Sequence, residues 1–273
     1  MNIHPTAVVE SGARLGTGVT IGPFCYLQDG VQIGDGCILE SHVCVLANTT
    51  LGQRCRVHAG AVLGGLPQDT GFKGGVSYVR IGDDCVLREG VTVNRGTKPE
   101  SETVVGNRCM LMANSHCAHN VKVGSDVVIA NCTSLAGYVE VGPRAFISGS
   151  VGVHQFVRIG TMAMLGVSAV LTKDVPPFCT VRPSTENGVG GMNIVGMRRS
   201  GMSAEDRAAV KAAFKVLYRS GLNVHQALAV LEQSPSTPAI LEMLGFIRAS
   251  KRGICAFSSR RRGRDDHEGP DTE

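Results

Sequence analysis

A repeat of six residues constrains this chain more than any other feature of its sequence. Every sixth residue from Ile3 to Leu171 gives 29 positions, and 25 of them are Ile, Leu or Val. A second column, two residues earlier in each hexad, is taken mostly by small residues such as Ala, Val, Cys, Ser and Thr. One large and one small inward side chain per segment is the pattern of a short, half-buried strand. The sequence therefore predicts a coil built from six-residue faces.

Glycines recur with a longer period of eighteen residues, which is three hexads. Three six-residue faces per turn predict a triangular parallel β-helix, an all-β architecture, over residues 1–178, with glycine at one corner where backbone geometry or crowding excludes a Cβ. Insertions of 12 and 6 residues, each a whole number of hexads, should leave the prism as loops near residues 66–78 and 95–103. Loops on a rigid scaffold commonly carry function. The corner glycines are otherwise eighteen residues apart: Gly16, Gly34, Gly52, Gly82, Gly106, Gly124, Gly142 and Gly160.

The repeat stops near Pro176, and a different organisation follows. We expect an irregular connector over residues 179–202 and a helical domain over residues 203–255. Ser203 and the acidic residues after it form a helix-start signal, and the apolar spacing predicts helices up to Gly221, over 222–232 and over 238–249. Residues 256–273 are first basic and then acidic, with little to bury, and predict a disordered tail.

The charge and composition exclude several classes of protein. A net charge of +4 with 18% charged residues is too mild to indicate a nucleic-acid partner. No apolar run approaches the length of a membrane span, and the first five residues lack the features of a signal peptide. We therefore expect a cytoplasmic protein whose ten cysteines stay reduced.

One edge of the predicted prism collects the residues that could do chemistry. Gly65, Arg95, His119, Gly137 and Gln155 all lie thirteen residues after a corner glycine, so they stack, and both loops leave from this edge. His119 and Gln155 are two coils, about 10 Å, apart, which suits a sugar ring, and Gly137 leaves a notch between them. A neutral histidine could deprotonate a hydroxyl that attacks an activated acyl carbon while a backbone N–H holds the oxyanion. This predicts direct acyl transfer without a cofactor.

Each of these residues also has a purely structural interpretation. A lone histidine on a β-helix is more often a solvated surface residue than a catalyst, and His116 could be structural support. His154 lies two coils from His119, too far for the two to bind one ion. The small inward column accounts for five cysteines by packing alone, so no metal site is predicted: Cys25, Cys37, Cys55, Cys85 and Cys109.

Several segments, taken in order, resemble those of the UDP-N-acetylglucosamine O-acyltransferase family. They are Pro67-Gln68-Asp69, residues 93–97 (Val-Asn-Arg-Gly-Thr), 116–119 (His-Cys-Ala-His), 153–156 (Val-His-Gln-Phe), 174–177 (Asp-Val-Pro-Pro) and Arg198-Arg199. The resemblance covers about residues 1–255. It implies left-handed winding, a homotrimer with active sites between adjacent prisms, and acyl carrier protein as donor in the first step of lipid A biosynthesis.

The resemblance also implies roles for individual residues. His119 would be the general base on the sugar 3-hydroxyl, and the Gly137 N–H would polarise the thioester carbonyl. Arg207, Lys211, Lys215 and Arg219, with the Arg198-Arg199 pair, could form a basic docking face for the carrier or an ordinary solvated surface. Contacts to the UDP-sugar would come from Gln68, Asp69, Lys73, His116, Tyr138, His154, Gln155, Asn193, Arg198 and Arg199, and contacts to the acyl chain from Met164 and Val167.

This chain also departs from the family pattern. Asn120 stands where family members have Asp after the catalytic histidine, and the family's loop lysine falls at Gly71, with Lys73 as a candidate replacement. Val167 stands where the family often has Gly, which predicts a shortened acyl pocket. Two histidines and a glutamate of the family are replaced by Tyr138, Glu186 and Val195.

Two alternatives remain open at this point. An N-acyltransferase acting on an amino-sugar nucleotide would tolerate Asn120, because an amine needs a weaker base than a hydroxyl does. A β-helical carbonic anhydrase or a noncatalytic scaffold would share the hexad repeat, and the first of these would require three convergent imidazoles on zinc.

Overall fold

The computed structural model describes residues 2–233 and 237–258 of the chain. Short strands two to five residues long wind into three sheets, and each strand pairs in parallel with the strand one coil away, except for one antiparallel pair near the carboxyl end. The first sheet contains, in spatial order, β1 (Asn2–Ile3), β4 (Thr20–Ile21), β7 (Ile38–Leu39), β10 (Arg56–Val57), β13 (Val86–Leu87), β16 (Met110–Leu111), β19 (Val128–Ile129), β22 (Phe146–Ile147), β25 (Met164–Leu165), β27 (Cys179–Val181), β28 (Gly188–Met192) and β29 (Ala256–Phe257).

The other two sheets complete the triangle. The second sheet contains β2 (Val8–Val9), β5 (Tyr26–Leu27), β8 (Cys44–Val45), β11 (Val62–Gly65), β14 (Thr92–Asn94), β17 (His116–Cys117), β20 (Ser134–Leu135), β23 (Gly152–Val153) and β26 (Val170–Leu171). The third contains β3 (Arg14–Leu15), β6 (Gln32–Ile33), β9 (Thr49–Leu51), β12 (Tyr78–Ile81), β15 (Glu102–Val105), β18 (Lys122–Val123), β21 (Glu140–Val141) and β24 (Arg158–Ile159).

The two sequence columns form the core of the prism. From Ile21 to Leu171 the large aliphatic residues of the hexads are buried, and the small column packs between them. Ile3 is 40% exposed, because no coil precedes it to cover that end of the prism. Four stacked cysteines each donate a thiol hydrogen bond to a corner glycine carbonyl one coil on, at 3.0 to 3.1 Å: Cys37, Cys55, Cys85 and Cys109.

Crowding, and not backbone conformation, explains the corner glycines. A Cβ on Gly34 would lie 2.5 Å from the Gly52 carbonyl oxygen of the next coil, and φ at these corner positions is not left-handed. The left-handed residue comes two positions later in each hexad, and it tolerates side chains as large as Tyr138 (φ 61°) and Phe156 (φ 66°). The strain of that conformation is therefore borne by residues of many types, while close stacking of coils selects glycine.

Two loops leave the prism at the corner between the second and third sheets. Residues 66–77 join β11 to β12, and residues 95–101 join β14 to β15. The loops support each other, because the Glu100 N–H donates to the Val76 carbonyl at 2.8 Å and a Cβ on Gly75 would lie 3.3 Å from Pro99.

The C-terminal region is more regular than its sequence predicted. The connector contains β27, the antiparallel β28 and a short helix α1 (Ile194–Arg199). Three longer helices follow: α2 (Ala204–Arg219), α3 (Val224–Glu232) and α4 (Pro238–Arg248). Helix α3 begins two residues later than predicted, because Asn223 and Gln226 form a capping box.

The expectation of disorder from residue 256 is wrong at its first residues. Ala256 and Phe257 form β29 beside β28, and the Phe257 ring packs against Phe214 and Tyr218 of α2. The backbone pairing with β28 and the apolar contact of Phe257 with α2 order these two residues, although the sequence after them is polar. Residues 259–273 lie outside the described residues.

Polar contacts join the helices to the prism. Asp174, which is 1% exposed, accepts the Arg158 N–H at 2.8 Å and the Ser250 hydroxyl at 2.7 Å. The Arg158 guanidinium lies 4.3 Å from the ring centroid of Phe246 in α4. None of the helices over the described ranges is long and apolar enough to cross a bilayer.

Candidate active site

The predicted ladder of residues lies on the corner between the second and third sheets. His119 follows β17, Gly137 follows β20 and Gln155 follows β23, so the strand register places them on three successive coils. Gly65 ends β11 and Arg95 follows β14, and the Arg95 N–H donates to the Gly65 carbonyl at 2.9 Å. Both loops therefore begin on the edge that carries His119.

Gly137 provides the space in which the His119 ring lies. A Cβ on Gly137 would be 2.3 Å from Cε1 and 2.5 Å from Nε2 of His119, closer than real Cβ atoms come to other atoms. The imidazole is therefore seated over a backbone without a side chain. The notch that the sequence predicted is occupied by the ring, which is 6% exposed.

The Nδ1 side of His119 is held by Asn120. Asn120 Oδ1 lies 3.2 Å from His119 Nδ1 and also accepts the Thr97 N–H at 2.9 Å. Because a backbone N–H must meet an acceptor, the Thr97 contact assigns the oxygen of the Asn120 amide to this position. Nδ1 must then be the protonated nitrogen, which leaves a lone pair on Nε2.

Asn120 is itself well supported. Its N–H donates to the buried Thr103 hydroxyl at 2.8 Å, and its left-handed φ of 60° is a conformation that asparagine tolerates. Thr97 belongs to the loop of residues 95–101, so the position of that loop is coupled through one amide to the orientation of the imidazole.

The Nε2 side of His119 faces a carboxylate from the other loop. Asp69 Oδ2 lies 3.6 Å from His119 Nε2, and Asp69 Oδ1 accepts the Gly71 N–H at 2.7 Å, which fixes the carboxyl group in a tight turn. A negative charge at this distance stabilises an imidazolium. Asp69 supplies that charge on the Nε2 side of the ring, whereas the Asp that family members have at position 120 would lie on the Nδ1 side.

Aromatic rings close the edge towards the third sheet. Tyr138 meets the His119 ring edge to face at 5.3 Å between centroids, and Phe156 stacks on Tyr138 at 5.0 Å. The Tyr138 that replaces a family histidine therefore makes an apolar wall beside the imidazole.

The Gly137 N–H has no acceptor among the residues that the structure describes. At the equivalent position of two other coils a side chain accepts this hydrogen bond, since Ala47 N–H donates to Gln28 Oε1 and Lys173 N–H to Asn187 Oδ1, each at 3.0 Å. The N–H groups of His119 and Gln155 resemble that of Gly137, with no acceptor over the described ranges. A buried, unpaired donor next to the base can stabilise charge that develops on a substrate oxygen.

A groove of about 580 Å³ runs along the second sheet from this corner. Among its polar residues, His116 accepts from or donates to the Thr92 hydroxyl at 2.7 Å, and burial lowers the pKa of His116 below its usual value. A partly buried histidine that stays neutral is a hydrogen-bonding residue. Predicted site residues that line this groove are Gln68, His116, His119, Gly137, His154 and Gln155.

Other predicted residues lie elsewhere. Lys73 shares a crevice between the loops with Asp69 and Tyr138. Asn193 caps α1, because Oδ1 accepts the Gly196 N–H at 2.9 Å and Nδ2 donates to the Met162 carbonyl at 2.8 Å, so its side chain is already engaged. The groove on this prism does not include Arg198, Arg199, Met164 or Val167, and the family positions Glu186 and Val195 are exposed outside it.

Three residues that support the site had no role assigned from the sequence. Thr97 and Thr103 hold Asn120, and Asn94 is 6% exposed with a buried Oδ1 that has no partner among the described residues. Asn94 and Thr97 lie in the 93–97 segment of the family resemblance and Thr103 lies at the end of the second insertion, but neither signal gave these residues a role. Over the same residues, no three His, Cys, Asp or Glu side chains converge as metal ligands would.

Family models and curated relatives of known name match this chain over most of its length. The family model described as "Udp N-acetylglucosamine O-acyltransferase; Domain 2" matches residues 174–255, and the model of bacterial transferase hexapeptides matches residues 12–47, 30–65 and 102–137. An acyl-[acyl-carrier-protein]–UDP-N-acetylglucosamine O-acyltransferase from Synechocystis sp. is 41% identical over 249 residues, which is 91% of this chain and 90% of the relative. One of the same name from Bartonella henselae is 39% identical over 93% of both chains.

A solved structure gives the same result. The UDP-N-acetylglucosamine acyltransferase of Bacteroides fragilis superposes with a TM-score of 0.87 at 36% identity, covering 92% of this chain and 98% of that one. This similarity, with the parallel sheets and the hexapeptide matches, confirms the predicted left-handed parallel β-helix followed by helices.

Proposed function

The chain belongs to the UDP-N-acetylglucosamine O-acyltransferase family, and on that premise we propose how its corner site carries out the reaction. It transfers an acyl group from acyl carrier protein to UDP-N-acetylglucosamine, the first step of lipid A biosynthesis. The arrangement of His119 between Asn120 and Asp69 is the observation that carries the proposed mechanism.

His119 acts as the general base. With Nδ1–H held by Asn120, the Nε2 lone pair takes the proton of the sugar 3-hydroxyl as its oxygen attacks the thioester carbon. The Asp69 carboxylate near Nε2 stabilises the imidazolium that forms and can also hold a sugar hydroxyl. The thiolate of the carrier leaves and takes up the proton from His119, so the charges and atoms balance.

The Gly137 N–H acts as the oxyanion donor. It is unpaired within the described ranges and lies beside the ring of the base, so a thioester oxygen bound there is polarised while the hydroxyl is deprotonated. Gln68, His154 and Gln155 line the groove on the second sheet and contact the sugar, and His116 supports it. Lys73 lies in the crevice beside Asp69, where its charge suits a phosphate.

A homotrimer would complete the site. The outward side chains of the first sheet include an apolar row, whereas the third sheet carries alternating charges such as Lys122, Glu140 and Arg158. If the first sheet of one prism packs on the second sheet of the next, Met164 and Val167 of the neighbour reach the groove, and its exposed Arg198 and Arg199 reach the nucleotide. The apolar row is Val86, Met110, Val128, Phe146 and Met164, and Arg56 separates it from Ile38.

The acyl carrier protein would dock on the helices by electrostatic attraction. Lys211, Lys215 and Arg219 are four residues apart on α2 and are exposed, which suits an acidic carrier protein. The Arg207 guanidinium donates to the Met202 carbonyl and is less available for docking. A cytoplasmic location agrees with a core that contains many free thiols.

The test is incubation of the chain with a panel of acyl carrier thioesters and UDP-sugars, with products read by mass spectrometry. We expect a product of UDP-N-acetylglucosamine that hydroxylamine cleaves, as an ester requires, and loss of product in His119→Ala but not in His225→Ala, whose histidine is exposed on α3.

The lack of a carboxylate at Asn120 favours one second candidate, N-acylation of an amino-sugar nucleotide. A hydroxylamine-stable product formed only from the amino sugar would identify that activity. Full activity in His119→Ala would refute both mechanisms.

A further inference from the structure

An aromatic ring in the loop of residues 66–77 lies against a side chain at the root of both loops. Among the described residues 70–76, only Phe72 is not exposed, and its ring centroid lies 5.8 Å from the guanidinium carbon of Arg95. At this distance the face of the ring attracts the cation. The Arg95 Nε is buried and has no hydrogen-bond partner over the described ranges, so the ring supplies a contact that no acceptor provides.

Arg95 lies next to the base in the stack of coils. The register between β14 and β17 places Arg95 one coil, about 4.8 Å, from His119. The Arg95 N–H donates to the Gly65 carbonyl at 2.9 Å, so its backbone is fixed where both loops leave the prism. The ring of Phe72 is therefore attached to the rigid prism and not to another part of its own loop.

The backbone of Phe72 closes the turn that carries Asp69. The Phe72 N–H donates to the Asp69 carbonyl at 3.0 Å, and the Gly71 N–H donates to Asp69 Oδ1 at 2.7 Å. A Cβ on Gly71 would lie 3.1 Å from Oδ1, so a side chain there would press on the carboxylate. The other oxygen, Asp69 Oδ2, lies 3.6 Å from His119 Nε2. The turn fixes the carboxyl group within the loop, and the Phe72 ring fixes the turn relative to the base.

Resting on the proposed function, we propose that Phe72 is a positioning residue for the reaction. Its ring, held on Arg95, keeps the Asp69 carboxylate at His119 Nε2, where the negative charge stabilises the imidazolium that forms during transfer. Phe72 acts through Asp69 and not on the substrate. The half-buried aromatic residue of an exposed loop thereby has a role that packing of the prism core does not require.

Kinetics at several pH values test this role. Phe72→Ala removes the ring without changing any charge, so the acid limb of kcat/KM against pH should move to lower pH, as it should in Asp69→Asn, and kcat should fall about tenfold. Phe72→Tyr keeps an aromatic face for Arg95 and should retain the profile of the unmodified chain. Val76→Ala, which shortens a 47% exposed side chain in the same loop, should retain it as well.

The double variant Phe72→Ala/Asp69→Asn separates positioning from a general structural role. If the ring acts through the carboxylate, Phe72→Ala should change kcat by less than about twofold in a chain that already carries Asp69→Asn. An equal loss of kcat in the two backgrounds, or an acid limb that does not move in Phe72→Ala, overturns the proposal.

Hydrogen exchange of the full chain, measured by mass spectrometry without substrate, reports on the turn itself. The Gly71 and Phe72 amides are donors in the turn, so they should exchange about tenfold faster in Phe72→Ala and in Arg95→Met but not in Phe72→Tyr. Unchanged exchange in the first two variants would mean that the ring does not anchor the turn. Because exchange is measured without turnover, a chain that shows the expected rates but forms no acylated sugar contradicts the proposed function and not the anchoring.

Discussion

Asn120 Oδ1 lies between two donors, His119 Nδ1 at 3.2 Å and the Thr97 N–H at 2.9 Å, so a neutral amide and a loop backbone set the tautomer of the base. In this chain, orientation of the imidazole and stabilisation of its charge are assigned to different residues. Asn120 supplies the first, and Asp69, from the other loop, supplies the second.

Replacing Asn120 with Asp tests that division. Asn120→Asp keeps an acceptor for Thr97 and His119 but adds a negative charge beside the ring, which favours the imidazolium. The acid limb of the kcat/KM profile against pH should move to higher pH. Asn120→Ala removes the acceptor and should lower kcat by about tenfold or more without moving KM to the same degree. Equal pH profiles for Asn120→Asp and the unmodified chain would contradict the argument.

Gly137→Ala should abolish most of the activity by displacing the base. The new Cβ would lie 2.3 Å from His119 Cε1, so the ring must leave its seat, and we expect kcat to fall by about a hundredfold or more. Gly245→Ala is the matched control. Its Cβ would meet no atom within 4 Å and it lies within α4, where alanine should raise the free energy of unfolding by about 0.5 to 1 kcal/mol. Circular dichroism checks that both variants keep the fold.

His116 should make the fold less stable in mild acid. Burial lowers the pKa of His116 below the 6.5 that is usual for a histidine, so the unfolded chain binds a proton there more readily than the folded one. His116 therefore lowers the free energy of unfolding only at low pH. This loss is absent well above pH 6.5, grows as the pH falls through 6.5, and levels off below the pKa of His116 in the folded chain. Urea unfolding between pH 5 and 8 should show a smaller loss of stability in His116→Asn, which retains an acceptor for Thr92. Parallel curves would argue against this origin.

Asp174 should be a main determinant of how firmly the helices are attached. Asp174→Ala leaves the Arg158 N–H and the Ser250 hydroxyl without their acceptor in a buried position, and we expect a loss of about 2 to 4 kcal/mol in the free energy of unfolding. Asp174→Asn keeps one acceptor oxygen and should lose less. Chemical denaturation measures both, and an equal loss in the two variants would point to charge, not hydrogen bonding.

Val167 should limit the length of the acyl chain. Its side chain is 48% exposed at the corner between the first and second sheets, where a neighbouring prism would bring it to the groove. Val167→Gly should shift the preferred donor towards longer acyl chains, measured as kcat/KM over a series of thioesters. An unchanged preference would mean that this residue does not line the acyl pocket.

The sequence by itself determined the prism, its corners and the edge on which His119, Gly137 and Gln155 stack. A hexad places residues by counting, because every coil repeats the geometry of the one before. The parallel register shifts between Leu63 and Gly65, where the first loop leaves the prism, so that Gly65 pairs with Asn94 and not with Arg95. The C-terminal strands and α1 were not predictable in this way, since β28 pairs antiparallel with β27, β29 pairs parallel with β28, and the Phe257 ring of β29 packs against α2, none of which follows from the periodicity.

Only the tertiary structure decided what the side chains on that edge do. Counting could not reveal that the imidazole lies over Gly137, that Asp69 approaches Nε2, or that Thr97 reaches Asn120, because both loops leave the repeat and their paths depend on contacts between them. A periodic backbone fixes where a residue stands, whereas the partners of an irregular loop are set by packing that no single segment encodes.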